Sequence, residues 1–149
     1  MENLLKFYIN GEWVAPLSDA TMPVLNPATE KQIGTVALGN EADVDRAVAA
    51  ASTAFEEFSQ TSKDGRLALL RKVRAITEAR MEELAQAMRM EMGAPITMSR
   101  DVQADAAVGH LDGFITALEE LEERLKLANG DIMVREPIGV CGLITPWNW

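Results

Sequence analysis

The sequence has 149 residues, 48% of them hydrophobic and 25% charged, with a net charge of −9. These are globular proportions, about one domain's worth, and they exclude a disordered chain. The acidic balance argues against a nucleic-acid partner, which needs clustered Lys and Arg. No apolar run approaches bilayer length, so no membrane span is expected. Cys141 is the only cysteine, which leaves no internal disulfide and fits a reducing compartment. The start, Met1-Glu2-Asn3-Leu4-Leu5-Lys6, lacks the basic-then-apolar plan of a secretion signal, so a cytoplasmic protein is expected.

Phe7 to Val14 is predicted as a β-hairpin, because Asn10-Gly11 between apolar runs suits a turn with both residues at positive φ. A loop from Pro16 to Asp19 leads to an extended run, Thr21 to Leu25, ended by Asn26-Pro27. Thr35-Val36-Ala37, following Lys31 to Gly34, suggests another short strand. Helical spacing then takes over. Asn40, with Asp43 three residues on, forms an approximate capping box. Val44, Ala47, Val48, Ala51, Phe55 and Phe58 share one apolar face and are expected to pack in a core. Thr61 or Ser62 caps the next helix, whose stripe is Leu67, Leu70, Val73 and Ile76. Arg66, Arg71, Lys72 and Arg74 invite a phosphate site, but Glu78, Glu82 and Glu83 follow closely and favour a solvated face.

A break near Arg80 precedes a helix running to Met92, stopped by Gly93 and Pro95. Met81, Met88, Met90 and Met92 are read as adaptable core fillers. A further helix is predicted over 97–123, with Val102, Ala106, Gly109 and Gly113 as a small-residue stripe inviting close approach. His110 has no second ligand at metal spacing and is read as a surface or hydrogen-bonded side chain; no metal cluster is expected. Glu119, Glu120, Glu122 and Glu123 form a solvated helix end. Residues 125–134 make a second hairpin around Asn129-Gly130, which must lie either on the rest of the chain or on a partner.

The closing stretch carries the chemistry. Residues 138–144 are short, apolar and β-branched, the pattern of a buried strand. Pro146 ends it and leaves Trp147 and Asn148 past the strand's carboxyl end, where open α/β sheets bind ligands. Gly139-x-x-Gly142 lies within the apolar run, so it is no dinucleotide fingerprint. Cys141 is expected to be an inert core thiol. The Asn148 amide suits either a donor to a developing oxyanion or a loop amide bonded to its own backbone, and the residues alone favour the loop.

The run Gly139 to Asn148 resembles the cofactor-side motif of the aldehyde dehydrogenase superfamily. Phe7 to Trp13, Asn26-Pro27-Ala28-Thr29, Asp43 to Ala51, Glu91 to Pro95 and Arg135 to Val140 are similar to its successive elements, in the family's order. The resemblance implies the amino-terminal part of that α/β fold: N-terminal β-hairpin and strands, helices, oligomerisation hairpin, and first strand of the Rossmann-like cofactor domain. It divides the chain into 1–123, the amino-terminal part of the cofactor-binding domain; 124–138, the oligomerisation hairpin; and 139–149, the first strand and cofactor loop.

The family oxidises an aldehyde to an acid with NAD or NADP through a cysteine thiohemiacetal. By resemblance Ile144, Thr145, Pro146 and Trp147, together with Asn148, line the cofactor cleft, and Asn148 is the catalytic oxyanion donor. A homodimer or homotetramer through the 124–138 hairpin is implied, and Val24, Leu25 and Glu91 match a monovalent-cation site. Phe58 stands where the family often has tryptophan. The nucleophile and general base fall downstream of Trp149, so the chain is expected to be an inactive amino-terminal fragment. The alternatives are a CoA-acylating branch of the family or a non-catalytic interaction module.

Overall fold

The structure, a computed structural model, describes residues 4–145. Phe7–Ile9 (β1) and Glu12–Val14 (β2) form the first hairpin, with Asn10 and Gly11 both at positive φ, so the turn chemistry acts as the sequence predicts. Thr21–Asn26 (β3) pairs antiparallel with Lys31–Ala37 (β4), which joins the two predicted pieces into one strand. Their turn is an Asx turn, in which the Ala28 N–H donates to Asn26 Oδ1 at 2.9 Å. A bulge after Val24 interrupts the register.

Glu41–Phe58 (α1) starts with a full capping box. The Asp43 N–H donates to Asn40 Oδ1, and the Asn40 N–H donates to Asp43 Oδ2, both at 3.1 Å. Asp43 is buried, and its Oδ1 also accepts from the Leu17 N–H at 2.8 Å, so one carboxylate fixes both the helix start and the preceding loop. Ser62 caps Lys63–Ala79 (α2) by accepting from the Gly65 N–H at 3.1 Å. The break at Arg80 occurs as expected and begins Met81–Met92 (α3). Gly93 ends α3 in the left-handed region, φ +74; a Cβ there would lie 2.6 Å from Pro27 Cγ, so the same glycine lets the helix end close on the β3–β4 turn.

The predicted helix over 97–123 is a composite ending three residues earlier. Ile96–Met98 (α4) runs into a π-turn at Ser99–Ala104, and Asp105–Glu120 (α5) follows. The buried positions record the change of period: Ser99, Ala104 and Val108 are spaced five and then four apart. The predicted small-residue stripe is not at a packed contact. Val102 is exposed, and a Cβ at Gly109 or Gly113 would meet open space.

The core sits where α2, α3 and the π-turn–α5 segment pack together, around Leu67, Ala85, Ala104 and Val108. The face of α1 predicted for the core is largely open instead. Val44, Val48 and Phe58 are exposed and only Phe55 is half-buried, because α1 meets little besides the first hairpin. Of the α2 stripe, Leu67 is buried and Leu70 half-buried, while Val73 and Ile76 are exposed. Three arginines of α2 pair with acids on α5 or just past its end: Arg66 with Glu123, Arg71 with Glu119 (2.5 Å) and Arg74 with Asp112 (2.8 Å). The face is largely solvated as expected, with Arg71 and Lys72 exposed, and these ion pairs lie on it. Arg124–Lys126 (β5) and Ile132–Val134 (β6) form the second hairpin, around a loop whose Leu127 N–H donates to the Asp131 carbonyl.

Candidate functional site

Two expectations for the closing stretch are corrected. Residues 138–144 form no strand, and Ile138, Leu143 and Ile144 are 93%, 89% and 97% exposed. Cys141 is an exposed thiol, not a core one. The physical reason is common to both. A strand that is apolar on both faces needs hydrogen-bonded neighbours and cover on each side, and the three sheets of the described residues are separate two-stranded hairpins that offer none. Gly139, at φ +116, turns the chain away after Pro137.

Ile144 and Thr145 therefore lie on an exposed arm without regular secondary structure. Pro146, Trp147 and Asn148 lie outside the described residues. Ile144 exposes apolar surface and Thr145 is exposed beside it. The arm is tied at its base, where the Arg135 N–H donates to the Glu123 carbonyl at 2.9 Å. Val24 and Leu25 lie on β3, which packs against α3, the helix that carries Glu91. Among the described residues, no three His, Cys, Asp or Glu side chains gather as a metal site. His110 is exposed on α5. No helix among the described residues is long and apolar enough to cross a membrane.

An apolar concavity lies elsewhere. A groove of about 400 Å³ between α2 and α5 is lined by Phe58, Leu69, Leu70, Phe114, Leu118 and Leu121, among others. Sequence reasoning assigned Phe58 to a core and did not single out Phe114, which is 66% exposed. Helical spacing from Phe114 to Leu118 and Leu121 was the available signal. The polar interior of the π-turn was also missed, since Ser99 and Gln103 fall on no hydrophobic period.

With this geometry the chain is similar to proteins of one family. The model of the aldehyde dehydrogenase family matches residues 13–149. A 3-succinoylsemialdehyde-pyridine dehydrogenase of a Pseudomonas species is 46% identical over 155 residues, covering 100% of this chain and 31% of that protein. A putative aldehyde dehydrogenase of Staphylococcus aureus is 47% identical over 151 residues, with the same coverage. Among solved structures, a cysteine-to-alanine variant of aldehyde dehydrogenase C from Pseudomonas syringae, in complex with NAD+ and octanal, superposes with a TM-score of 0.94 at 46% identity. That match covers 99% of this chain and 30% of the other. An aldehyde dehydrogenase from Bartonella henselae gives 0.82 at 36% identity, covering 85% of this chain and 26% of that one. The chain thus spans about 31% of the length of the curated relatives it matches.

Proposed function

The chain belongs to the aldehyde dehydrogenase family, and on that premise we propose that the protein at family length oxidises an aldehyde to a carboxylic acid with NAD or NADP. The observation that carries this reading is the 46% identity and 0.94 TM-score, over 99% of the chain, to a structure holding NAD+ and octanal. Within the reading, Ile144, Thr145, Pro146 and Trp147 form one wall of the cofactor cleft. The dinucleotide, when bound, supplies the hydride acceptor. Ile144 excludes water from one side of it, and the Thr145 hydroxyl offers a hydrogen bond. The Asn148 side-chain amide donates to the oxygen of the substrate carbonyl as negative charge develops there. Cys141 is given no part, since it lies on the exposed arm ahead of the cleft residues. The nucleophile belongs to the family length outside these residues.

The same reading divides the chain at 123/124 and 138/139 into the amino-terminal part of the cofactor domain, an oligomerisation hairpin and the first cofactor strand. The start of β5 at Arg124 supports the first boundary. The exposed edges of β5 and β6 support assembly of a homodimer or homotetramer through 124–138, by strand addition between subunits. A cytoplasmic setting is supported by a free, accessible Cys141.

The test is Asn148→Ala in the family-length protein, assayed by aldehyde-dependent reduction of NAD or NADP. A loss of about 10²–10³-fold in kcat with little change in KM is expected for one oxyanion donor. A near-normal rate returns Asn148 to the role of a loop amide. The 149-residue chain assayed alone is expected to show no turnover, and robust turnover would overturn the assignment of the nucleophile to the remaining length.

A further inference from the structure

The carboxyl end of α5 leads into the second hairpin without a cap of its own. The helix stops at Glu120, Leu121 beyond it is extended (φ −63, ψ 120), and no basic residue lies in the last turn. Helices commonly close with a left-handed glycine or with nearby cations, because the final carbonyls lack partners within the helix and carry the negative end of its macrodipole. Glu119 and Glu120 add negative charge at the end that disfavours it.

The missing donors come from α2, which packs against α5. Lys63 Nζ donates to the Glu119 carbonyl at 2.6 Å and to the Leu121 carbonyl at 3.0 Å, so one ammonium spans the helix end. Lys63 is the first residue of α2, where the positive end of that helix disfavours a cation and favours an acid such as Asp64. Its position is unfavourable for α2 and favourable for α5. The next carbonyls are engaged as well. Arg135, just past β6, donates to the Glu122 carbonyl through Nη1 and to the Glu123 carbonyl through its backbone N–H. The 119–123 turn is thus held from α2 on one side and from the end of the hairpin on the other.

We propose that Lys63 is a latch between the helical block and the second hairpin: its ammonium supplies from α2 the cap that α5 lacks, and so fixes the direction in which residues 121–135 leave the block. Lys63 is half-buried and is not among the buried core residues, so removing its donors frees the turn without emptying a packed site. Arg71 provides the contrast. It lies on the same helix and pairs with the Glu119 carboxylate, leaving the backbone carbonyls to Lys63. The inference depends neither on the activity nor on the assembly proposed above.

The test is amide hydrogen exchange on the family-length protein. Lys63→Met keeps an aliphatic stem and removes the donors. The Leu121 and Arg135 N–H groups, which bond to the Leu118 and Glu123 carbonyls, should exchange about 10-fold faster in this variant. Those of Val73 and Ala85, inside α2 and α3, should keep the parent's rates. Arg71→Met should leave all four unchanged. Unchanged rates at Leu121 and Arg135 in Lys63→Met overturn the proposal, as does an equal rise at Val73 and Ala85, the mark of general destabilisation. The same rise at Leu121 and Arg135 in Arg71→Met also overturns it, since charge at the helix end would then suffice. If Lys63→Met fails to fold, Lys63→Gln, with a neutral donor on a shorter stem, should raise the rates at Leu121 and Arg135 alone, and any other pattern counts against the latch.

Discussion

The helical block and the arm beyond it both carry apolar side chains, and these end in opposite states. Leu67, on α2, is buried, whereas Leu143, on the arm, is 89% exposed. The helices satisfy their backbones internally and need only one covered face, and caps such as Asn40, Ser62 and Gly93 fix where they begin and end. The stretch 138–144 requires strands on either side before it gains anything by burial. The difference teaches which elements this stretch of the family fold can complete by itself: those whose packing partners lie among the described residues, as α2 and α5 do.

The surface area gives this contrast a scale. The chain exposes 11230 Å², whereas a compact monomer of 16.3 kDa exposes about 7,500 Å². Part of this surface is apolar. It is distributed over the α1 face, the α2–α5 groove, the second hairpin and the arm, through side chains such as Val44, Phe114, Ile132 and Ile144.

Stability measurements on paired substitutions would break or sharpen the comparison. The largest effect is expected for Leu67→Ala, which empties a packed site between α2 and its neighbours and should cost about 3 kcal/mol in denaturant unfolding. Leu143→Ala, chemically the same change, should stay within about 0.5 kcal/mol. Equal losses at the two positions would mean that the arm is packed after all. Next comes Asp43→Ala. It removes an acceptor shared by the Asn40 and Leu17 N–H groups, and the loss of cap and loop tie should cost about 2 kcal/mol. A value near zero would show that the first hairpin and loop are not anchored through α1.

How far the sequence was legible follows the same division. The Asn10-Gly11 turn, the Asn40 box, the Ser62 cap, the break at Arg80 and the Gly93 stop were all readable, because each is a local rule about φ or an unpaired N–H. The π-turn was not, because inserting a residue into the helical period leaves no local mark; only the five-residue step from Ser99 to Ala104 records it. The burial of α1's apolar face was misjudged for a different reason. Periodicity tells which face seeks cover, and says nothing of whether the cover is among these residues. The assignment of Ile144 to Asn148 as a site rests on the resemblance of the motif alone, and a buried strand leading to it needs neighbouring strands that the described residues do not provide.

The smallest expected effect concerns the ion pairs that tie the block together. Hydrogen bonds from Arg74 hold the Asp112 carboxyl below its ordinary pKa; those from Arg100 and Gln86 do so for Glu82, and those from Arg80 for Glu83. A carboxyl whose pKa is lower folded than unfolded binds fewer protons in the folded state. Its stabilisation is therefore complete above the unfolded pKa, near pH 4, and is lost as the pH falls through the depressed folded value. All three side chains are exposed, so salt should weaken the effect. Arg74→Gln should flatten the acid limb of the unfolding midpoint against pH at low salt and leave the midpoint at pH 7 nearly unchanged in high salt. No ion pair joins residues 124–145 to the helices among the described residues, so hydrogen exchange in the second hairpin should show no matching change. If exchange there followed the Arg74→Gln acid limb step for step, the block and the arm would be one cooperative unit, and the division between them would have to be given up.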